Sequence, residues 1–129
     1  MPATDRATGH RHAAERRGRR AETLAAWFLR LKGYRVLARR YRTAVGEVDL
    51  IVRRGRVIAF VEVKTRPSIA EAVEAVTPSG RRRIARAAAA WLAAHPAAAG
   101  FDLRFDVVIA APLRLPRHLT GAFDDEGGA

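Results

Sequence analysis

Between Ala14 and Lys32 the apolar residues recur every three to four positions. Ala21, Leu24, Ala25, Phe28 and Leu31 make one stripe, and Arg16, Arg17, Arg19, Arg20 and Arg30 fall mostly off it, so the spacing predicts a helix. Gly33 follows as its left-handed stop. Glu22 falls at the edge of the stripe, where it can point towards whatever the helix packs on. Three strand-like runs come next. Tyr34 to Tyr41 is rich in β-branched and aromatic residues. Val45 to Val52 alternates, with Val48, Leu50 and Val52 on one side and Glu47, Asp49 and Ile51 on the other. After the turn signal Arg53-Arg54-Gly55-Arg56, the run Val57 to Thr65 is apolar on both faces, as in a covered central strand. Residues 66 to 76 read as a loop with a short helical turn. Thr77-Pro78 opens a second long helix, which runs to about His95 before Pro96 and carries Ile84, Ala88, Trp91 and Leu92 on its apolar face. Phe101 to Ala111 is a last strand, and nothing after Pro112 has a clear period. The order α-β-β-β-α-β predicts an α/β fold, a mixed sheet flanked by helices.

One domain fits 129 residues. Residues 1–13 read as a disordered basic arm, 14–118 as the domain and 119–129 as a disordered acidic tail. There are no cysteines, which removes disulfides, thiol chemistry and cysteine-based metal sites. No apolar run is long enough to span a membrane and no secretory signal opens the chain, so a cytoplasmic protein is expected.

Charge changes the picture most. The net charge is +11, and residues 1–42 hold half of the 24 basic side chains against 3 acids. Such a balance favours polyanions, nucleic acid first, with DNA ahead of RNA. Arg39, Arg40 and Arg42 are placed to track a phosphate backbone. Arg81, Arg82, Arg83 and Arg86 crowd the first turns of the second long helix, against its dipole. A phosphate bound there relieves the conflict; a solvated basic face is the plainer reading. Only Lys32 and Lys64 are lysines, so each marks a position where arginine does not serve, unless chance put them there.

Glu62 and Lys64 interrupt an otherwise apolar strand, which is costly unless they are paired or hold a metal. A two-residue loop at Arg54-Gly55 pairs Asp49 roughly with Phe60 and Glu47 with Glu62, placing Asp49, Phe60, Glu62 and Lys64 on one face. Paired carboxylates beside a lysine suit metal-assisted phosphodiester hydrolysis, and hard oxygen ligands select Mg²⁺ or Mn²⁺. Lys64 then orients water or neutralises charge on the phosphate. The plain alternative is an ordinary ion pair at a strand end. A carboxylate dyad for glycoside hydrolysis gains no support from the charge.

The run from Gly18 to Phe123 resembles the YraN family of small bacterial proteins, which is placed by similarity in the PD-(D/E)XK nuclease superfamily near the Holliday-junction resolvases. The resemblance rests on Gly18-Arg-Arg-Ala-Glu22, Lys32-Gly33-Tyr34, Gly46-Glu47-Val48-Asp49-Leu50-Ile51, Phe60-Val61-Glu62-Val63-Lys64-Thr65-Arg66, Val76-Thr77-Pro78 and Phe105-Asp106-Val107-Val108. It implies a restriction-endonuclease-like core. It also implies that Asp49 and Glu62 ligate a metal with the Val63 carbonyl, that Lys64 is the catalytic lysine, and that Glu22 reaches the same site directly or through water. Val48 stands where the superfamily's name has Pro, and Ser79-Gly80-Arg81 stands where many relatives have Lys and Gln.

The leading reading is a metal-dependent endonuclease acting on DNA, with branched or repair intermediates among its substrates. A nucleic-acid-binding module with the nuclease fold and weak or no activity is the second. A scaffold that dimerises through a sheet edge is the third, and a homodimer stays open under each.

Overall fold

A computed structural model describes residues 18–111 and 113–124; the arm at 1–13, with His10 and His12, and the tail from residue 125 lie outside them. Helix α1 covers residues 18–31. Strands β1 (Arg35–Arg42), β2 (Glu47–Arg54) and β3 (Val57–Lys64) follow, then α2 (Ile69–Ala75), α3 (Pro78–Ala94), a 3-10 turn (Pro96–Gly100), β4 (Asp102–Ile109) and β5 (Arg117–Phe123). The strands form one sheet in the order β1-β2-β3-β4-β5. Only β3 and β4 are parallel, joined by the α2–α3 crossover; the other neighbours are antiparallel. The fold is the expected α/β arrangement.

Local chemistry sets the boundaries. At the end of α1, Tyr34 N–H donates to the Leu29 carbonyl and Gly33 N–H to that of Arg30, with Gly33 at φ 93°, which is a Schellman motif. Ser68 caps α2 by accepting from Glu71 N–H, and its hydroxyl donates to the Glu71 carboxylate. Thr77 caps α3 by accepting from Gly80 N–H, with Pro78 in the first position.

Two apolar layers sandwich the sheet. On the α3 face Ile84, Ala88 and Trp91 pack on Ile51, Phe60, Phe105 and Val107. On the α1 face the contacts are smaller: Ala21, Ala25, Ala26 and Leu29 against Leu50, Val52, Ala59 and Val61. The inward face of α1 is therefore not the predicted stripe. Leu24 and Phe28 are only half-buried and Leu31 is 84% exposed, while Ala26, Leu29 and Glu22 turn inward. Alanines let the helix lie close to the sheet, a position that larger side chains cannot take. Trp27 is exposed.

Three strand details also differ from the sequence pattern. The β2–β3 loop is Gly55-Arg56, since Arg54 pairs with Val57. Alternation breaks along β2: Val48 and Ile51 serve the α3 layer, Leu50 and Val52 the α1 layer. The ordered domain continues past 118, because Arg117–Phe123 pairs with β4 as a fifth strand. Both outer strands are irregular. In β1 the register shifts between Val36 and Ala38, and Arg40 adopts φ 51°; in β5 Gly121 sits at φ 59° beside a second register shift.

Candidate functional site

The β2–β3 ladder runs from Arg54↔Val57 to Leu50↔Val61. One step further, Asp49 stands across from Glu62, two residues beyond the expected partner Phe60. Here the strands part, and the Asp49 side chain takes over from the backbone: its Oδ2 accepts Val63 N–H at 2.8 Å. The Lys64 carbonyl accepts Ala110 N–H on the β4 side. Since N–H and C=O of one residue point the same way in an extended strand, the Val63 carbonyl faces the β2 side with its N–H. The gap between the strands is thus walled by carboxylate and carbonyl oxygens.

Glu62 lies beside Asp49, with Lys64 Nζ at 3.3 Å. Burial, then the Asp49 charge, push Glu62 from 4.5 up to about 8, against the pull of Lys64. Burial raises Asp49 as well, opposed chiefly by the Val63 N–H bond.

Glu22 reaches the same pocket from α1. The rotation of that helix carries it onto the buried face, and burial followed by the Asp49 charge raises it to about 7. Its Oε2 lies 3.6 Å from Arg40 Nε, but its buried Oε1 has no hydrogen-bond partner. Gly18, Glu22, Asp49, Glu62, Val63 and Lys64 line this cavity of about 380 Å³. Glu62 and Lys64 also line a smaller one on the α3 side, with Glu47, Thr77 and Arg83.

Asp49, Glu62, Val63, Lys64 and Glu22 are therefore brought together. Among the described residues, however, no three acidic, His or Cys side chains already converge tightly enough to cage an ion. The arginines divide. Arg40 leans on Glu22, Arg42 pairs with Glu47 at 3.3 Å, and Arg39 donates to Thr23 Oγ1; all three lie near the pocket and lower the Glu22 pKa. At the start of α3, Arg83 also pairs with Glu47, at 3.5 Å. Arg81 instead donates to the Val76 carbonyl and covers the Phe123 ring, and Arg82 likewise has a partner.

A second polar cluster escapes the sequence pattern. Asp106 is fully buried, accepting from Arg104 Nε and Nη2 at 2.8 Å each and from Gly121 N–H at 3.0 Å. His118, whose side chain is almost fully buried, joins Asp106 Oδ2 at 2.8 Å to Lys32 Nζ at 2.7 Å. His118 is thus a buried link between β5 and the end of α1. The one available signal was an acid inside the apolar run Phe105–Ile109. His95 stacks on Trp91.

The raised carboxyls fix a pH dependence. From 4.5 up to about 7 for Glu22 and about 8 for Glu62, the folded protein keeps protons that the unfolded chain has released. Their contribution to stability is therefore full below 4.5 and is lost as pH rises through that window. Denaturant unfolding in chelator should show a midpoint falling with pH across it, and Glu22→Gln/Glu62→Gln should flatten the trend. A wild-type midpoint that does not fall would contradict the assignment.

Residues 21–110 match the model of Uncharacterised protein family UPF0102. Similar curated proteins share that name. One from Rhodopseudomonas palustris (strain BisB18) is 54% identical over 95% of this chain and 91% of its own. One from Methylorubrum extorquens (strain PA1) is 58% identical over 91% of each. One from Bradyrhizobium diazoefficiens is 55% identical over 92% of this chain and 89% of its own. Among the described residues no helix is long and apolar enough to cross a membrane.

Proposed function

The chain belongs to the UPF0102 family, that of the YraN proteins, and we propose that its acidic pocket makes it a divalent-cation-dependent endonuclease hydrolysing phosphodiester bonds in DNA. The observation that carries this reading is Glu22 Oε1, a buried carboxylate oxygen with no partner, in the cavity that Asp49 and Glu62 also line. Three raised or orphaned acids around one cavity are short of positive charge. Oxygen donors alone suit Mg²⁺ or Mn²⁺. Asp49, Glu62 and the Val63 carbonyl would hold the ion, and Glu22 would join directly or through water.

When bound, the ion supplies Lewis acidity at the phosphate and a more acidic water. The chain does the rest. Val63 N–H fixes one Asp49 oxygen, which sets the carboxylate's orientation before any ligand arrives. Lys64 Nζ, compact and held at Glu62, reaches a phosphate oxygen or the attacking water. Arg39 and Arg42, exposed on β1, take the flanking backbone charge.

The test is a panel of branched, single-stranded and duplex DNA with Mg²⁺ or Mn²⁺. Glu62→Gln should weaken Mn²⁺ binding by calorimetry about tenfold or more. Lys64→Ala should slow cleavage about a hundredfold while DNA affinity holds. A wild-type protein that takes up no Mn²⁺ and cleaves nothing on the panel would sink the enzyme. The second reading, a binding module without catalysis, draws on the loose placement of the acids: Glu22 leans on Arg40 instead of completing a cage. It predicts DNA binding with no cleavage to lose.

A further inference from the structure

At the opposite end of the sheet from the acids, arginines gather around the β2–β3 hairpin. Gly33, Arg35, Arg53, Arg54 and Gly55 line a concavity of about 230 Å³. Two of the guanidiniums are fixed without any acid. Arg53 lies 4.4 Å over the Phe101 ring and its Nε donates to the Gly55 carbonyl. Arg54 lies 4.6 Å over the Tyr34 ring and its Nη1 donates to the Lys32 carbonyl. Stacking and carbonyl contacts orient the planes while leaving their charge uncancelled and several N–H groups unused. The Arg35 side chain has no partner among the described residues. Elsewhere Arg40, Arg42, Arg83 and Arg104 each meet a carboxylate. Asp102, the nearest acid in register, pairs with Val57 in the sheet and forms no ion pair with this group.

We propose that this concavity is a phosphate-binding cradle that grips a nucleic-acid backbone remote from the acidic pocket. Its residues fit the ligand. Rigid forked donors match phosphate oxygens, and the two glycines, both at positive φ, let a backbone approach where a side chain would stand. A path also connects the two ends. Edge strand β1 exposes Arg35, Arg39 and Arg42 in turn, spanning about 23 Å at ~3.3 Å per residue. At about 3.4 Å per phosphate, a strand lying on it covers roughly seven nucleotides. The cradle rests on the nucleic-acid half of the function proposed above, not on catalysis.

The experiment is fluorescence anisotropy with labelled oligonucleotides longer and shorter than that span, across a salt series. Wild type is compared with Arg35→Gln, whose exposed side chain has no partner among the described residues, and with Arg53→Gln/Arg54→Gln; the thermal melt of each is checked first. Each is expected to bind the long oligonucleotide less tightly, about tenfold for the pair, with a salt slope shallower by about one for each arginine replaced, and to bind the short one as wild type does. Unchanged affinity and slope in Arg35→Gln and in the folded double variant would overturn the cradle, and so would displacement of the oligonucleotide by inorganic phosphate beyond a matched salt control, which would make free phosphate the ligand. Mn²⁺ calorimetry on the same proteins separates the two ideas. Weakened oligonucleotide binding with normal Mn²⁺ uptake supports the cradle; normal binding with normal uptake removes it and leaves the acidic pocket standing. Dependence on the arginines without Mn²⁺ uptake supports the cradle and removes the nuclease.

Discussion

Alanine in place of Asp106 is expected to lower the melting temperature by about 10–20 °C, a loss of about 3–5 kcal/mol. The carboxylate has no exposure and accepts from Arg104, His118 and the Gly121 backbone at once. Its removal leaves a guanidinium and an imidazole facing each other in an apolar layer with no acceptor between them. It also removes the Gly121 bond, which ties β5 down beside its register shift. Burial alone would raise the pKa of Asp106, but hydrogen bonds from His118, Arg104 and Gly121 outweigh it and hold it below 3.8. The stability it gives is therefore present above 3.8 and lost only as pH falls through the lowered value. Arg104→Ala should cost less, because His118 and Gly121 still hold the carboxylate. A melting temperature for Asp106→Ala within a few degrees of wild type would show that the buried cluster does not hold β5 in place.

Alanine at Gly46 should be nearly as damaging, at about 3 kcal/mol. A Cβ there runs into the Arg83 carbonyl oxygen and stands 2.8 Å from the carbonyl carbon. These are backbone atoms inside α3, which cannot swing aside as a side chain can. The β1–β2 loop must then lift from the helix, pulling Glu47 away from Arg83 in the smaller cavity that Glu62 and Lys64 also line. The expected result is a lower denaturation midpoint, together with weaker Mn²⁺ binding in whatever protein remains folded. A wild-type midpoint would mean that the loop does not rest on the helix in solution.

How far the sequence could be read follows from what each element faces. Helix α3 was legible because capping residue, proline, apolar face and stop all agree. Asp49, Glu62 and Lys64 were legible because charge inside an apolar strand is conspicuous. An error of one residue in the hairpin loop moved the residue across from Asp49 by two, from Phe60 to Glu62, and so still brought the two acids together. The inward side of α1 was not legible. Ranking by size puts Phe28 and Leu31 inside, whereas the close approach to Ala59 and Val61 selects Ala25 and Ala26. That same rotation is why Glu22 lies deeper than an edge position suggests. Strand β5 was hidden because an outer strand half in water needs no apolar alternation, and Arg117-His-Leu-Thr-Gly has none. Without it, Asp106 and His118 had no reason to be considered together.

The kinks in the two outermost strands bear on how copies of this chain behave at high concentration. A straight, regular border would offer its free amide and carbonyl groups to the border of another copy, and stacking could continue into a ribbon or fibril. Here the shifted register at Leu37 and the left-handed turn at Arg40 interrupt one border, and Gly121 interrupts the other. Repeated cationic side chains on the first border add mutual repulsion. Self-templated growth is thereby blocked at both ends of the five-strand array.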